Sequence, residues 1–168
     1  IKGSETGTSF KQALFFKEIG FNLHDTMIWN KPNPMPRTHP RYEQGFEFMF
    51  IFSKGAPSKV NLIKESTKNA GKKRTGTFRH DGETLRQKHK SGFYSSEKIK
   101  TNVWSFSGEG VKGHPAPFPL KLATDHILSW SNPGDLVFDP FAGSGTTLLA
   151  AKQTGRKCLG VELASKYC

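Results

Sequence analysis

VFDPFAGSGTTLLAA (residues 137–151) sets the fold class of this chain. DLVFDPF (135–141) is a short apolar run and reads as a buried strand. AGSG (142–145) follows as a loop, and TTLLAAKQTG (146–155) reads as a helix closed by Gly155. RKCLGVEL (156–163) then reads as a second strand. Strand, glycine loop, helix and strand make a βαβ unit, which implies an α/β fold with a parallel pair and a right-handed crossover.

The loop is built for a ligand to come close. Gly143 and Gly145 leave the backbone uncovered, and the next helix offers N–H groups that no earlier carbonyl takes. A nucleotide-triphosphate loop needs a lysine after the second glycine, but Thr146 and Thr147 stand there. A dinucleotide fingerprint needs a third glycine where Leu148 stands. Glu162, at the end of the second strand, is placed to accept hydrogen bonds from both hydroxyls of a ribose. Loop and acid together point to an adenosine-type cofactor without saying which one.

At 168 residues the chain has room for one domain with a real core. Its formal charge of +11 favours polyanionic partners, nucleic acid or an anionic membrane surface first. No apolar run approaches the roughly 18 residues of a membrane span, and the first residues lack the order of a secretory signal. The expectation is a cytoplasmic protein. Cys158 and Cys168 provide neither a disulfide framework nor a Cys-rich zinc site, and read as ordinary buried or half-buried thiols. The six histidines show no metal spacing, so no metal is expected. The chain opens on Ile1 and closes on ELASKYC (162–168), where a helix begins, so it reads as a piece of a longer protein.

Elsewhere the patterns are coarser. TSFKQALFFKEIGF (8–21) predicts a helix with Ser9 and Gln12 at capping-box spacing, an apolar face of Phe10, Ala13, Leu14 and Ile19, and a stop at Gly20. HDTMIWNK (24–31) and GFEFMFIFSKG (45–55) suit two strands. The four prolines of PNPMPRTHPRYEQ (32–44) make a stiff loop between them. Residues 56–102 hold twelve Lys or Arg against four Asp or Glu, +8 of the net charge, with Phe78, Phe93 and Tyr94 among the cations. That segment reads either as a solvated, partly disordered loop or as an insert that contacts nucleic acid. NVWSF (102–106) reads as a short strand. In HPAPFPLKLATDHILSWSNPGD (114–135), prolines set the entry, Leu120, Ala123, Ile127 and Trp130 recur at helical spacing, and Asn132, Pro133 and Gly134 end the helix.

DPFAGSGTT (139–147) resembles the S-adenosylmethionine-binding motif of the DNA amino-methyltransferases, which methylate N4 of cytosine or N6 of adenine. HPAPFP (114–119) looks like the segment that precedes that motif and touches the methionine end of the cofactor, while IWNKPNPMP (28–36) and FEFMFIFSKG (46–55) look like the strand pair after the catalytic half. The order matches the class with catalysis first, target recognition second and cofactor binding last. The resemblance implies a three-layer Rossmann-like fold, here incomplete. It implies three regions: 1–55 as the end of the catalytic part, 56–102 as the basic target-recognition insert, and 103–168 as the cofactor-binding region. Asp139, Pro140, Phe141, Gly143, Gly145 and Thr146 would line the cofactor loop, Glu162 would hold the ribose, and Pro117 and Phe118 would flank the methionine. Each has a plainer alternative: Asp139 capping the turn, Phe118 in the core, Glu162 a surface acid.

The family's acceptor motif, Ser/Asp/Asn-Pro-Pro-Tyr/Phe, does not occur in the 168 residues, so no catalytic residue is assigned and the stretch by itself is expected to transfer no methyl group. The order of elements puts that motif before Ile1. In the family's sheet the strands that go with it lie centrally, so both retained strand pairs are expected to have an uncovered edge. The implied partner is double-stranded DNA, in a bacterial or phage-type modification system, with Lys72, Lys73, Arg74 and Arg79 on phosphates and Arg86, Lys88 or Lys90 reaching base edges. Tyr42 and Phe46 are candidates for shielding a flipped base, or simply for packing. A homodimer and a cognate restriction endonuclease are further partners the resemblance admits. The alternatives are an RNA or protein methyltransferase with the same loop, and a non-catalytic nucleic-acid-binding module. Cytosine and adenine are not distinguished.

Overall fold

The computed structural model describes residues 5–34, 36, 42–73, 92–107 and 117–167. Two compact units emerge: residues 1–61 with 101–168, and residues 62–100. No helix among the described residues is long and apolar enough to cross a membrane.

The first unit opens with helix α1 (Thr8–Glu18), then strands β1 (Asn22–Asn30) and β2 (Phe46–Ser53). These two strands pair antiparallel across their whole length, slipping by one residue at His24. Aromatic side chains on alternate positions of β2 form a ladder, with Phe48 and Phe50 stacked at 5.5 Å. Strand β5 (Val103–Ser105) runs parallel on the far side of β1, so the sheet order is β2-β1-β5. Met27, Trp29 and Trp104 bury its inner face, and the indole N–H of Trp29 donates to the Phe106 carbonyl.

Helix α1 departs from the expected start. Gly7, with φ 63°, is the N-cap and no side chain caps the helix, so Ser9 lies inside the first turn and the Ser9–Gln12 box is not formed. The Lys11 N–H already donates to the Gly7 carbonyl, and glycine takes this left-handed turn without steric cost. The expected apolar face is also mostly uncovered: Ala13 is buried, while Phe10, Leu14 and Ile19 are exposed. Only a narrow line meets the sheet, through Phe10 on Phe48 and Phe16 on Phe52. The stop is as expected, with Gly20 at φ 99°.

Helix α2 (Leu120–Trp130) starts from the fully buried Pro119. One side packs Ala123 and Ile127 against the buried Ala150 and Ala151 of helix α3 (Thr146–Gln153). Its other side turns to the mixed sheet, where the His126 ring lies 4.7 Å from that of Trp104 and its Nε2 3.1 Å from Met49 Sδ. The helix ends at the expected Asn-Pro-Gly turn, with Gly134 at φ 86°. Two polar clasps secure that turn. The buried Arg156 donates to the carbonyls of Ser131 and Thr154, and Lys59 bridges to Asp135. The hydrogen bond from Lys59, then that from the Asn132 amide, holds the Asp135 carboxyl below its ordinary value of 3.8.

Strands β6 (Leu136–Asp139) and β7 (Lys157–Gly160) flank α3 and pair in parallel, as the βαβ pattern requires. The expectation of a buried strand is corrected on one face. Val137 packs into the helical core, but Leu136 and Phe138 are exposed, because alternate side chains point away from the helices. Cys158 is also exposed rather than buried, although its register partner is Val137, on the helix-facing side of the pair.

The second unit holds two strands that no apolar pattern announced. Strands β3 (Lys64–Ser66) and β4 (Glu97–Ile99) pair antiparallel, and an isolated bridge joins Lys73 to Phe93. The segment is thus an ordered ribbon over its described residues.

Candidate cofactor site

At the end of β6 the backbone turns sharply, and each bend has an identifiable cause. Asp139 Oδ1 accepts the Phe141 N–H at 2.9 Å, which closes the Asp-Pro corner. Gly143 and Gly145 take φ of 52° and 85°, where a side chain would be strained. The Gly145 N–H donates to the Ala142 carbonyl, and Gly145 then serves as N-cap of α3. Thr146 therefore opens the helix and is half-buried, beside amides that α3 itself cannot satisfy.

The exit of β7 ties this loop from the other side. The Ala142 N–H donates to the Val161 carbonyl and the Val161 N–H to the Asp139 carbonyl. Glu162 is half-buried and bridges the two segments: Oε2 accepts the Gly143 N–H at 2.8 Å and Oε1 the Ala164 N–H at 2.8 Å. A carboxylate oxygen accepts more than one hydrogen bond, so these ties orient the group while leaving it acceptor capacity.

Of the residues singled out in the sequence, Asp139, Gly143, Gly145, Thr146 and Glu162 come together around this loop. Pro140 and Phe141 sit on its outer side, Phe141 86% exposed. Pro117 and Phe118 lead into α2, and Phe118 packs against the Ala123, Ile127, Ala150 and Ala151 cluster. Lys72 and Lys73 are exposed on the ribbon, while Arg74, Arg79, Arg86, Lys88 and Lys90 lie outside the described residues. Tyr42 is exposed, and Phe46, the first residue of β2, rests edge-on against Phe48.

The loop and its clasp, residues 139–147 and 160–164, contain two carboxylates and no Lys or Arg. Such a set repels polyphosphate and suits a ligand with hydroxyls and positive charge. On the ribbon the charges are arranged differently. Lys98 pairs with Glu65 at 2.8 Å and Lys64 with Glu97 at 3.6 Å, whereas Lys68 and Lys73 have no carboxylate partner among the described residues.

One residue at the site went unnoticed in the sequence: Gly160, the last of β7. Its neighbours Leu148 and Ala142 approach so closely that a side chain has no room. The signal was available in LGVE (159–162), a glycine two residues before the strand-end acid.

A family model described as DNA methylase, of the N6 and N4 type, matches residues 1–168. The orphan methyltransferase M.BamHII of Bacillus amyloliquefaciens is 49% identical over 99% of this chain and 67% of its own length. The solved M1.HpyAVI-SAM complex superposes with a TM-score of 0.62 at 31% identity, covering 98% of this chain and 66% of that one. The cytosine-N4-specific PvuII DNA methyltransferase gives a TM-score of 0.69 at 23% identity over 99% of this chain and 57% of that one, a likeness of fold. The chain thus spans about two thirds or less of the length of these relatives. A Rossmann-like α/β core built on β6–α3–β7, a family-model match over residues 1–168 of the chain and nearly half the residues shared with a curated methyltransferase agree: the chain belongs to the N6/N4 DNA methylase family.

Proposed function

We propose that the whole protein transfers a methyl group from S-adenosylmethionine to an exocyclic amine of cytosine or adenine in double-stranded DNA. The observation that carries this is the carboxylate clasp: Glu162 held at the glycine loop by the Gly143 amide, with Asp139 at the corner and no Lys or Arg within residues 139–147 and 160–164. The fit is chemical. An adenosine sugar needs acceptors for its hydroxyls, a sulfonium tolerates carboxylates, and a polyphosphate does not.

In this reading Asp139, Pro140, Phe141, Gly143, Gly145 and Thr146 line the cofactor, Glu162 accepts from its ribose, and Pro117 and Phe118 flank the methionine end. When bound, the cofactor supplies an electrophilic sulfonium methyl. The chain's task is to fix the cofactor's position, since in-line displacement is won by alignment. The loop suits that task because its Ala142, Gly143 and Gly145 amides are already committed to neighbouring carbonyls and to Glu162, so little ordering remains when the ligand arrives.

Lys72 and Lys73 then contribute to DNA binding as phosphate contacts, together with Arg74, Arg79, Arg86, Lys88 and Lys90. M.BamHII and M1.HpyAVI are named as a methyltransferase and as a SAM complex, which supports the cofactor and reaction class. The reading also makes the protein a bacterial cytoplasmic enzyme, and leaves a second copy of the chain and a cognate endonuclease as partners for experiment.

Isothermal titration of the full-length protein tests the core of the proposal. S-adenosylmethionine is expected to bind in preference to ATP and NAD, and Glu162→Gln to weaken it by about tenfold or more, the scale of one charge-assisted hydrogen bond. Equal affinity in Glu162→Gln, or a preference for ATP, removes the assignment. For DNA, Lys72→Ala/Lys73→Ala is expected to reduce the slope of log K against log salt by about 0.9 for each phosphate that the variant no longer neutralises. An unchanged slope removes these lysines from the interface.

A further inference from the structure

A Cβ built on Gly160 lies 2.8 Å from Leu148 Cδ1, 2.9 Å from Ala142 Cβ and 3.1 Å from Leu148 Cδ2. Carbon atoms in good contact stand about 3.5–4.0 Å apart, so the place of that side chain is already taken. Gly160 is not among the positive-φ glycines, so the demand here is for space rather than for an unusual backbone angle. The two intruding residues belong to the ligand-facing element itself. Ala142 opens the glycine loop, and Leu148 is in the first turn of α3. The three residues of the β7 exit therefore act on one loop: Gly160 by its emptiness, Val161 by two backbone hydrogen bonds, and Glu162 by its carboxylate.

We propose that Gly160 is a positioning residue for the cofactor loop, the missing side chain setting how closely residues 142–145 and the first turn of α3 seat against β7. This rests on the reading of the loop as the S-adenosylmethionine site. In dinucleotide-binding loops a third glycine on the helix permits close helix–strand approach. Here the helix carries Leu148 and the strand carries the glycine, so the same close contact is made with the partners exchanged. Any side chain at residue 160 lifts the loop away from Glu162, and the acceptors and amides that face the ligand lose their spacing.

The test is Gly160→Ala in the full-length protein, with three readouts. S-adenosylmethionine affinity is expected to fall by about tenfold or more, the scale of an overpacked contact. DNA affinity at fixed salt is expected to stay within about twofold, and the Ala142 and Gly143 amides to exchange hydrogen faster than those of β1 and β2. Adding Leu148→Ala removes two of the three close contacts, so the double variant is expected to regain part of the affinity. Parent-like cofactor affinity in Gly160→Ala, exchange that quickens evenly over the whole protein, or a double variant no better than the single overturns the proposal. Should Gly160→Ala not fold, Leu148→Ala alone loosens the same seat; unaltered exchange at Ala142 and Gly143 then overturns it. A parent protein that binds no S-adenosylmethionine refutes the cofactor reading instead, since the exchange measurement reports the loop's seat without any ligand.

Discussion

In the β6–α3–β7 unit Ala150 and Ala151 are wholly buried, Gly160 has no room for a methyl group, and the Ala142, Gly143 and Gly145 amides end on carbonyls or on Glu162. In the β3–β4 ribbon all three residues of β4 are exposed, and the strands meet through Lys98–Glu65 and Lys64–Glu97. The first region is held by contacts that water cannot replace. The second is held by charges that water screens. A loop that must grip one small molecule benefits from such packing, because a shift of an ångström spoils every hydrogen bond to the ligand. A surface proposed to meet a polyanion needs only charge and reach, and Lys68, Lys72 and Lys73, exposed on the ribbon, fit that proposal without being packed.

Substitutions can break this contrast at graded cost. Ile127→Ala, in the cluster between α2 and α3, is expected to destabilise the protein by about 2–5 kcal/mol in denaturant unfolding, and to loosen the glycine loop with it. A loss of under about 1 kcal/mol would mean that the loop unit is no better packed than the ribbon. Arg156→Ala strands the carbonyls of Ser131 and Thr154, and a loss of about 2–3 kcal/mol is expected by the same measurement.

The Asp135 carboxyl provides a pH-dependent version of the same question. Its folded pKa lies below 3.8, so its contribution is fully present above that value and is lost as pH falls through the lowered pKa. Asp135→Asn should therefore flatten part of the acid limb of a stability–pH curve, leaving the curve above about pH 5 with its shape unchanged. Identical acid limbs in parent and variant would show that Lys59 is no partner in solution. Smallest of all, Lys98→Ala is expected to cost about 1 kcal/mol or less, because the pair stands in water. A larger loss would place the ribbon with the packed regions and erase the distinction.

The parts of the molecule that were legible in the sequence are those with a local period or a local stop. The βαβ order, α2 with its Asn-Pro-Gly end and the Gly20 and Gly155 stops follow from residues within a few positions of one another. Strands β3 and β4 escaped notice because they carry no apolar alternation, being three residues each of Lys, Glu and Ser with Ile99 the one apolar residue; their signal is charge complementarity across the pair. The capping box failed for a similar reason. Ser9 and Gln12 have the right spacing, but Gly7, two residues earlier, starts the helix more easily.

At the site the division is finer. Asp139, the two glycines and Glu162 were visible as residue types in a telling order, and the plainer alternative for Asp139, a turn cap, is one of the things its carboxylate does. Phe118 likewise packs on the core cluster. Gly160 stayed hidden because what gives it a role is a pair of side chains 12 and 18 positions away along the chain.

By itself the sequence determined the βαβ order, the chemistry of the glycine loop, with two acids and no cation, and the concentration of positive charge between residues 56 and 102, since each is a property of neighbours along the chain. The tertiary structure alone decided which amides Glu162 grips, that β5 lies beside β1, which face of β6 is covered, and why residue 160 has no side chain. These depend on how closely distant segments approach, and close approach is set by the packing of the whole unit rather than by any local pattern.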